Sequence, residues 1–327
     1  MDFILPFIML IIGFIVLVKG ADFFVDGASS IAKYFKVSSL VIGLTVVAFG
    51  TSLPEAAVSI SSALQGVDDV SFGNVIGSNI FNLLLILGIS SLIVPQIVHS
   101  DLIKRDLPIA ISAVFILIPM YFFIGNGHII TQFEGALLFV LIIGFVVLLI
   151  KQPKKEVSID KEIQMKFTFN KAIIITLIGL IGIVFGGILV TEGAKSIALL
   201  FGMSEWLVGL TIVSIGTSLP ELVTSVVASM KKESDIAIGN IIGSNIFNIF
   251  FILGFSALVA PISFNQTAIF DIIFITVSTI IVFIFASRKN QITRRHGMIL
   301  LGLYLVYMVY IISRDQNAQI AFIQLIH

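Results

Sequence analysis

Gly50-Thr51-Ser52-Leu53-Pro54-Glu55 and Gly216-Thr217-Ser218-Leu219-Pro220-Glu221 are the same hexapeptide, met twice in one chain of 327 residues. The 166-residue offset that superimposes them also lays GNVIGSNIFN (73–82) on GNIIGSNIFN (239–248), with one conservative difference. Without a gap, it further pairs Gly20 with Gly186, Gly27 with Gly193, Gly43 with Gly209 and Pro95 with Pro261. Chance does not give this. The chain is an internal duplication, and its fold must be one that two similar halves can build together.

Composition says where those halves reside. Apolar residues make up 58% of the chain and charged residues 12%, with a mean hydropathy of +1.13. A soluble domain needs more polar surface, so the surplus apolar area is expected to face lipid. A span across a ~30 Å hydrocarbon core needs roughly 20 residues. Ten runs qualify, near 3–25, 38–64, 71–95, 107–124, 130–150, 171–193, 204–230, 236–260, 268–286 and 297–313. The first lacks a basic leader and a small-residue cleavage pattern, so it reads as a retained helix.

The polar stretch 151–170 divides these runs five and five. The expected architecture is therefore an all-α integral membrane protein of ten transmembrane helices. Residues 1–150 form one five-helix repeat, 151–170 a cytoplasmic linker and 171–327 the second repeat. Five is odd, so the second copy enters the bilayer from the opposite face, giving inverted repeats with a site expected at the midplane between them. Sixteen of the nineteen Lys and Arg fall in loops on one side, from Lys33 and Lys36 to Arg294 and Arg295, while only Lys195 and Arg314 fall on the other. The positive-inside rule then puts the chain in the cell membrane with its N-terminus outside, its central loop cytoplasmic and its C-terminus outside.

Several function classes drop out. Zero net charge argues against a nucleic-acid partner. No cysteine is present, and His99, His128, His296 and His327 have no metal-binding spacing, so thiolate and transition-metal chemistry are not expected. Serine chemistry would need a base, and His99 and His128 lie near span ends, far in sequence from the repeated motifs, so an intramembrane protease drops out. No enzyme activity, cofactor or obligate protein partner is expected; the lipid bilayer is the one surrounding the composition demands.

The repeated motifs carry the chemistry. They lie mid-span, where polar groups are most costly. Pro54 and Pro220 each interrupt a helix, leaving carbonyls of Gly50, Thr51, Gly216 and Thr217 without full helical partners. A carboxylate follows each break, Glu55 and Glu221, beside Thr51, Ser52, Thr217 and Ser218. Ser78 with Asn82, and Ser244 with Asn248, stand four apart and share a helix face. These ten residues form the candidate site. Asn74 and Asn240 extend the same faces and are as readily packing residues, while the GxxxG pairs Gly73/Gly77 and Gly239/Gly243 read mainly as packing devices.

The donors are all oxygen, which suits hard cations such as Ca²⁺ and Na⁺ as transported substrates. Two ionised glutamates make the empty site about −2, expensive to move through a low-dielectric layer. One Ca²⁺ or two Na⁺ neutralises it, so only a loaded carrier can rearrange, and exchange is obligate; a third Na⁺ would make it electrogenic. Protons compete for the same carboxylates, so acid is expected to inhibit, and a rate flat down to about pH 5 would count against the pair. Asp22, Asp26 and Glu192 read as interfacial. Asp68, Asp69, Glu233 and Asp235 read as solvated turn residues, and Glu134, Asp106 and Asp271 as residues snorkelling from span ends.

These motifs resemble the α-repeats of the sodium/calcium exchanger branch of the cation/calcium antiporter superfamily. The resemblance covers nearly the whole chain. It implies that Glu55 and Glu221 bind calcium with the backbone carbonyls of Thr51 and Thr217, and that Ser52, Ser218, Ser78 and Ser244 complete flanking sodium sites. It also implies three Na⁺ for one Ca²⁺, with spans one and six sliding over a rigid remainder. Potassium-dependent members carry Asp where Asn248 stands, so Asn82 and Asn248 together argue against potassium co-transport. Proton/calcium exchangers replace the hexapeptide with a Gly-Asn-x-x-Glu pattern. H⁺/Ca²⁺ exchange, another divalent cation and, more remotely, a cation channel are the competing readings; a channel would need a weak-binding continuous path.

Overall fold

In a computed structural model, the chain is described over residues 4–122, 128–151, 166–201, 214–264 and 268–314. Almost everything described is helix. α1 (Ile4–Phe35) leads into α2 (Ser39–Thr51), α3 (Leu53–Leu64) and α4 (Asp68–Ile93). The first half closes with α5 (Leu107–Phe115), α6 (Leu117–Phe122) and α7 (Gln132–Ile150). The second half repeats the order as α8 (Phe169–Leu200), α9 (Ser214–Thr217), α10 (Leu219–Met230), α11 (Ser234–Val259), α12 (Ala268–Lys289) and α13 (Arg294–Arg314). The bounds of α3 and α4 fall on those of α10 and α11 at the sequence offset of 166.

Among the described residues, α1, α4, α7, α8, α11 and α12 are each long and apolar enough to cross a membrane, and α2 with α3 adds a seventh crossing bent by 49°. Of the other expected spans, the fourth is divided at Ile116 between α5 and α6, residues 204–213 of the seventh lie outside the described residues, and the tenth is the continuous helix α13.

Burial sorts the helices into a centre and a rim. Of the apolar segments of α4 and α11, 72% and 83% lie inside the protein, against 28% and 33% for α1 and α8. α1 and α8 turn Ile8, Ile11, Ile12, Phe14, Ile15, Ile174, Leu177, Ile178, Ile181 and Phe185 outward. An aliphatic surface of this extent is stable only against acyl chains.

α1 and α8 meet along a glycine seam. Gly13, Gly20 and Gly27 recur every seven residues on α1, as do Gly179, Gly186 and Gly193 on α8. Gly13 faces Val190, Gly20 faces Ile183 and Gly27 faces Thr176, so the two helices run antiparallel. A Cβ at Gly20 would stand 2.6 Å from the backbone nitrogen of Ile183, and one at Gly186 2.5 Å from that of Leu17. Only glycine permits this approach. The GxxxG of α11 also packs: Gly239 and Gly243 seat α2 at Gly43, Leu44 and Ala48. α2 matches 205–217 in the second half, of which 205–213 lie outside the described residues, including the counterparts of Gly43 and Leu44.

Short antiparallel ladders tie the halves together, Gln96–Ile97 to Gln291–Ile292 and Ile129–Ile130 to Ile262–Ser263. Glu134 departs from the snorkelling expectation. It is 4% exposed, accepts from the Thr131 backbone N–H at 2.8 Å and closes a capping box at the start of α7. Asp106 is also buried, held by Arg105 through two bonds of 2.6 and 2.8 Å. Asp271 is 9% exposed and accepts from the Tyr307 hydroxyl at 3.2 Å.

Candidate cation site

The hexapeptides build the two breaks at the centre. Ser52 leaves helical geometry at φ −82, ψ 5 and Ser218 at φ −91, ψ 6, and each ends one helix and starts the next. Pro54 and Pro220 fall in the first turn of α3 and α10, where a missing N–H removes no helical bond. That places Glu55 and Glu221 in the same first turns. There the unpaired N–H groups and the helix dipole favour a negative charge, which offsets part of the cost of burying the two carboxylates.

Glu55 is 1% exposed and Glu221 0%. Their partners come from the opposite half. Ser218 Oγ donates to Glu55 Oε1 at 2.8 Å, and Ser52 Oγ donates to Glu221 Oε1 at 3.0 Å. Ser218 Oγ also bonds Ser78 Oγ at 3.1 Å, which brings α4 into the site. The hydroxyls of Thr51 and Ser244 lie beside the Glu221 carboxylate, and Ser244 Oγ reaches the Ala48 carbonyl at 3.4 Å. The second oxygens, Glu55 Oε2 and Glu221 Oε2, are buried and accept no hydrogen bond from the described residues. A buried carboxylate oxygen without a donor is costly unless a cation or proton meets it.

Asn74 and Asn240 hold the glutamate backbones. Asn74 Nδ2 donates to the Glu55 carbonyl at 3.1 Å and to Ser59 Oγ at 2.8 Å, while its Oδ1 accepts from Thr217 Oγ1 at 3.4 Å. Asn240 Nδ2 donates to the Glu221 carbonyl at 3.4 Å and to Ser225 Oγ at 2.9 Å, while its Oδ1 accepts from Thr51 Oγ1 at 3.0 Å. Each amide thus ties a carboxylate-bearing turn in its own half to a hydroxyl of the other. Ser59 and Ser225 were not singled out from the sequence, although the same offset relates them.

Asn79 and Asn245, also missed, bond each other's backbone across the centre, Nδ2 to carbonyl at 3.2 and 3.3 Å. Of the two asparagines that end the motifs, Asn248 donates to Asn79 Oδ1 at 2.9 Å. Asn82 is fully buried with neither amide atom bonded. Both stand at π-turns, Phe81–Ile86 in α4 and Asn248–Leu253 in α11. Among the described residues, no three His, Cys, Asp or Glu gather in one place, so the donor set stays two carboxylates with hydroxyls, amides and carbonyls. Such a donor set suits a hard cation.

Comparison with known proteins points the same way. The family described as sodium/calcium exchanger protein matches residues 5–151 and 171–313. The chain is 37% identical to the putative antiporter CaxA of Alkalimonas amylolytica, over 94% of this chain and 98% of that protein. It is 34% identical to sodium/calcium exchanger MaX1 of Methanosarcina acetivorans, over 93% and 97%. The solved structure of the sodium-calcium exchanger NCX_Mj soaked with zero Na⁺ and Ca²⁺ is similar at a TM-score of 0.83 and 32% identity, over 94% of this chain and 99% of that one. Two crossed carboxylates on broken helices, a lipid-facing rim and likeness along nearly the full length have one common explanation: the chain belongs to the sodium/calcium exchanger family of membrane antiporters.

Proposed function

We propose that the protein exchanges Na⁺ for Ca²⁺ by alternating access, electrogenically and without K⁺, with Glu55 and Glu221 as the central ligands. One observation carries this reading: each glutamate is buried, is bonded on one oxygen by a serine of the opposite half, and has no donor to its other oxygen among the described residues. A pair so arranged is nearly neutral with one Ca²⁺ or two Na⁺ and strongly charged without, which supports obligate exchange. Thr51, Thr217, Ser52, Ser218, Ser78 and Ser244 surround the pair as hydroxyl and carbonyl donors. Asn82 and Asn248 complete the proposed ligand set, and their neutral amides support potassium independence.

The same reading takes residues 1–150 and 171–327 as inverted five-helix halves joined by a linker at 151–170. The basic loops support a cytoplasmic linker with both termini outside.

The test is ⁴⁵Ca²⁺ uptake into sodium-loaded proteoliposomes, with Glu55→Gln and Glu221→Gln in parallel. Losing a charged ligand costs several kcal/mol, so each variant should fall by about a hundredfold or more. If either exchanges like the parent, the assignment fails. Uptake driven by a proton gradient with no sodium present would move the protein to H⁺/Ca²⁺ exchange.

A further inference from the structure

The two halves differ in charge where α1 and α8 meet the turns beyond the site. Lys231, in the α10–α11 turn, places Nζ 2.6 Å from Asp22 Oδ1 and 2.7 Å from Asp26 Oδ1 on α1, and donates to the Asp22 carbonyl at 2.8 Å. Lys166 also pairs with Asp26, and Ser29 Oγ donates to Glu233 Oε1 at 2.9 Å. Asp22, Asp26 and Ser29 follow i, i+4, i+7 and so form one stripe of α1. The opposite turn has the same shape, with Gly66 at φ 70 where Lys232 has φ 63. It lacks the lysine: Gln65, Gly66 and Val67 replace Lys231, Lys232 and Glu233, with Asp68 and Asp69 following, and on α8 Ile188 replaces Asp22 while Glu192 stands where Asp26 does. Gln65 bonds Ser61 in its own helix at 2.9 Å.

We propose that Lys231, clamped between Asp22 and Asp26, is a one-sided latch that holds the carrier closed on the face of the α10–α11 turn. Ala21, Phe24 and Val25 of α1 pack in one cluster with Val223, Val227 and Ala228 of α10, so α1 covers the stretch from Glu221 to that turn. Opening a path there requires α1 to leave α10, and the latch bonds must break. Among the described residues, opening the opposite face breaks no such lysine clamp, because Gln65 stands where Lys231 does. A duplicated carrier with equal halves would populate both states equally; the latch makes them unequal and sets the resting state to open away from Lys231.

The inference rests on the alternating-access reading, and its test needs no ion flux. The chain has no cysteine. Single cysteines at Ser229 and Ala63, equivalent positions that are 0% and 2% exposed, report the two faces separately. In the purified full chain, Lys231→Met should raise maleimide labelling of Ser229→Cys by about fivefold and lower that of Ala63→Cys, the scale of a partly exposed ion-pair network. Gln65→Met should move neither. Lys231→Arg should keep the parent rates, and the charge exchange Asp26→Lys with Lys231→Asp should restore them. Unchanged labelling in Lys231→Met overturns the latch, as does a rise at both cysteines, which would mean general loosening. Reciprocal labelling in a protein that exchanges no ions would overturn the antiport reading and leave the latch standing.

Discussion

Glu55 and Glu221 are held by small polar neighbours, and the contribution of each neighbour can be separated. Ser52 and Ser218 meet the carboxylates directly, whereas Asn74 and Asn240 bond the glutamate carbonyls, a serine of their own half and a hydroxyl from the other. Charge and position are therefore carried by different residues. Removing charge, by Glu→Gln or by acid, should abolish exchange; restoring neutral pH should recover the acid-inhibited parent and not the variants. Removing position by Asn74→Ala or Asn240→Ala leaves the charge but frees the turn. Each should raise the half-saturating Ca²⁺ concentration by about tenfold, from loss of buried hydrogen bonds worth roughly 1–2 kcal/mol, with turnover less affected. An unchanged concentration dependence would make these asparagines packing residues only.

At the scale of elements, broken helices and the glycine seam have different physical origins. The breaks follow from local chemistry: a proline in the first turn of α3 and of α10 forbids a continuous helix and leaves a serine in the bridge conformation. The seam follows from packing, because α1 and α8 approach until glycine hydrogens meet backbone. Gly20→Ala and Gly186→Ala should each lower stability by about 1–3 kcal/mol, since the clash is with backbone that no rotamer relieves. Thermal unfolding measured in detergent checks this, and an unchanged midpoint for both variants would mean the helices can part freely. The π-turns at Asn82 and Asn248 re-aim the end of each motif, so the fourfold spacing from Ser78 and Ser244 does not by itself fix where the amides point.

For the whole molecule, the near-equivalence of the halves is what makes an exchanger plausible in physical terms, and charge is what the cycle must balance. With two carboxylates and three Na⁺ the loaded site carries one positive charge, so uptake of Ca²⁺ against sodium should carry current and respond to an imposed membrane potential. Vesicles clamped with a potassium ionophore would show a rate that depends on the potential. A potential-independent rate would point to two Na⁺ per Ca²⁺. Removing K⁺ from both sides under a separate clamp should leave the rate unchanged.

The duplicated hexapeptide and the hydropathy determined the membrane class and the family, and residue type alone pointed to oxygen donors and to the two glutamates, because these readings depend on residue type and local order. Tertiary structure alone decided the pairings. That Ser52 serves Glu221 and Ser218 serves Glu55, that Asn79 and Asn245 bond across the centre, and that Glu134 caps a helix instead of reaching for water all depend on which segments are brought together. So does Lys231, which pairs with Asp22 and Asp26 across roughly two hundred residues of chain. Periodicity in a sequence describes the face of one helix; the partner of that face is fixed by packing between helices distant in the chain.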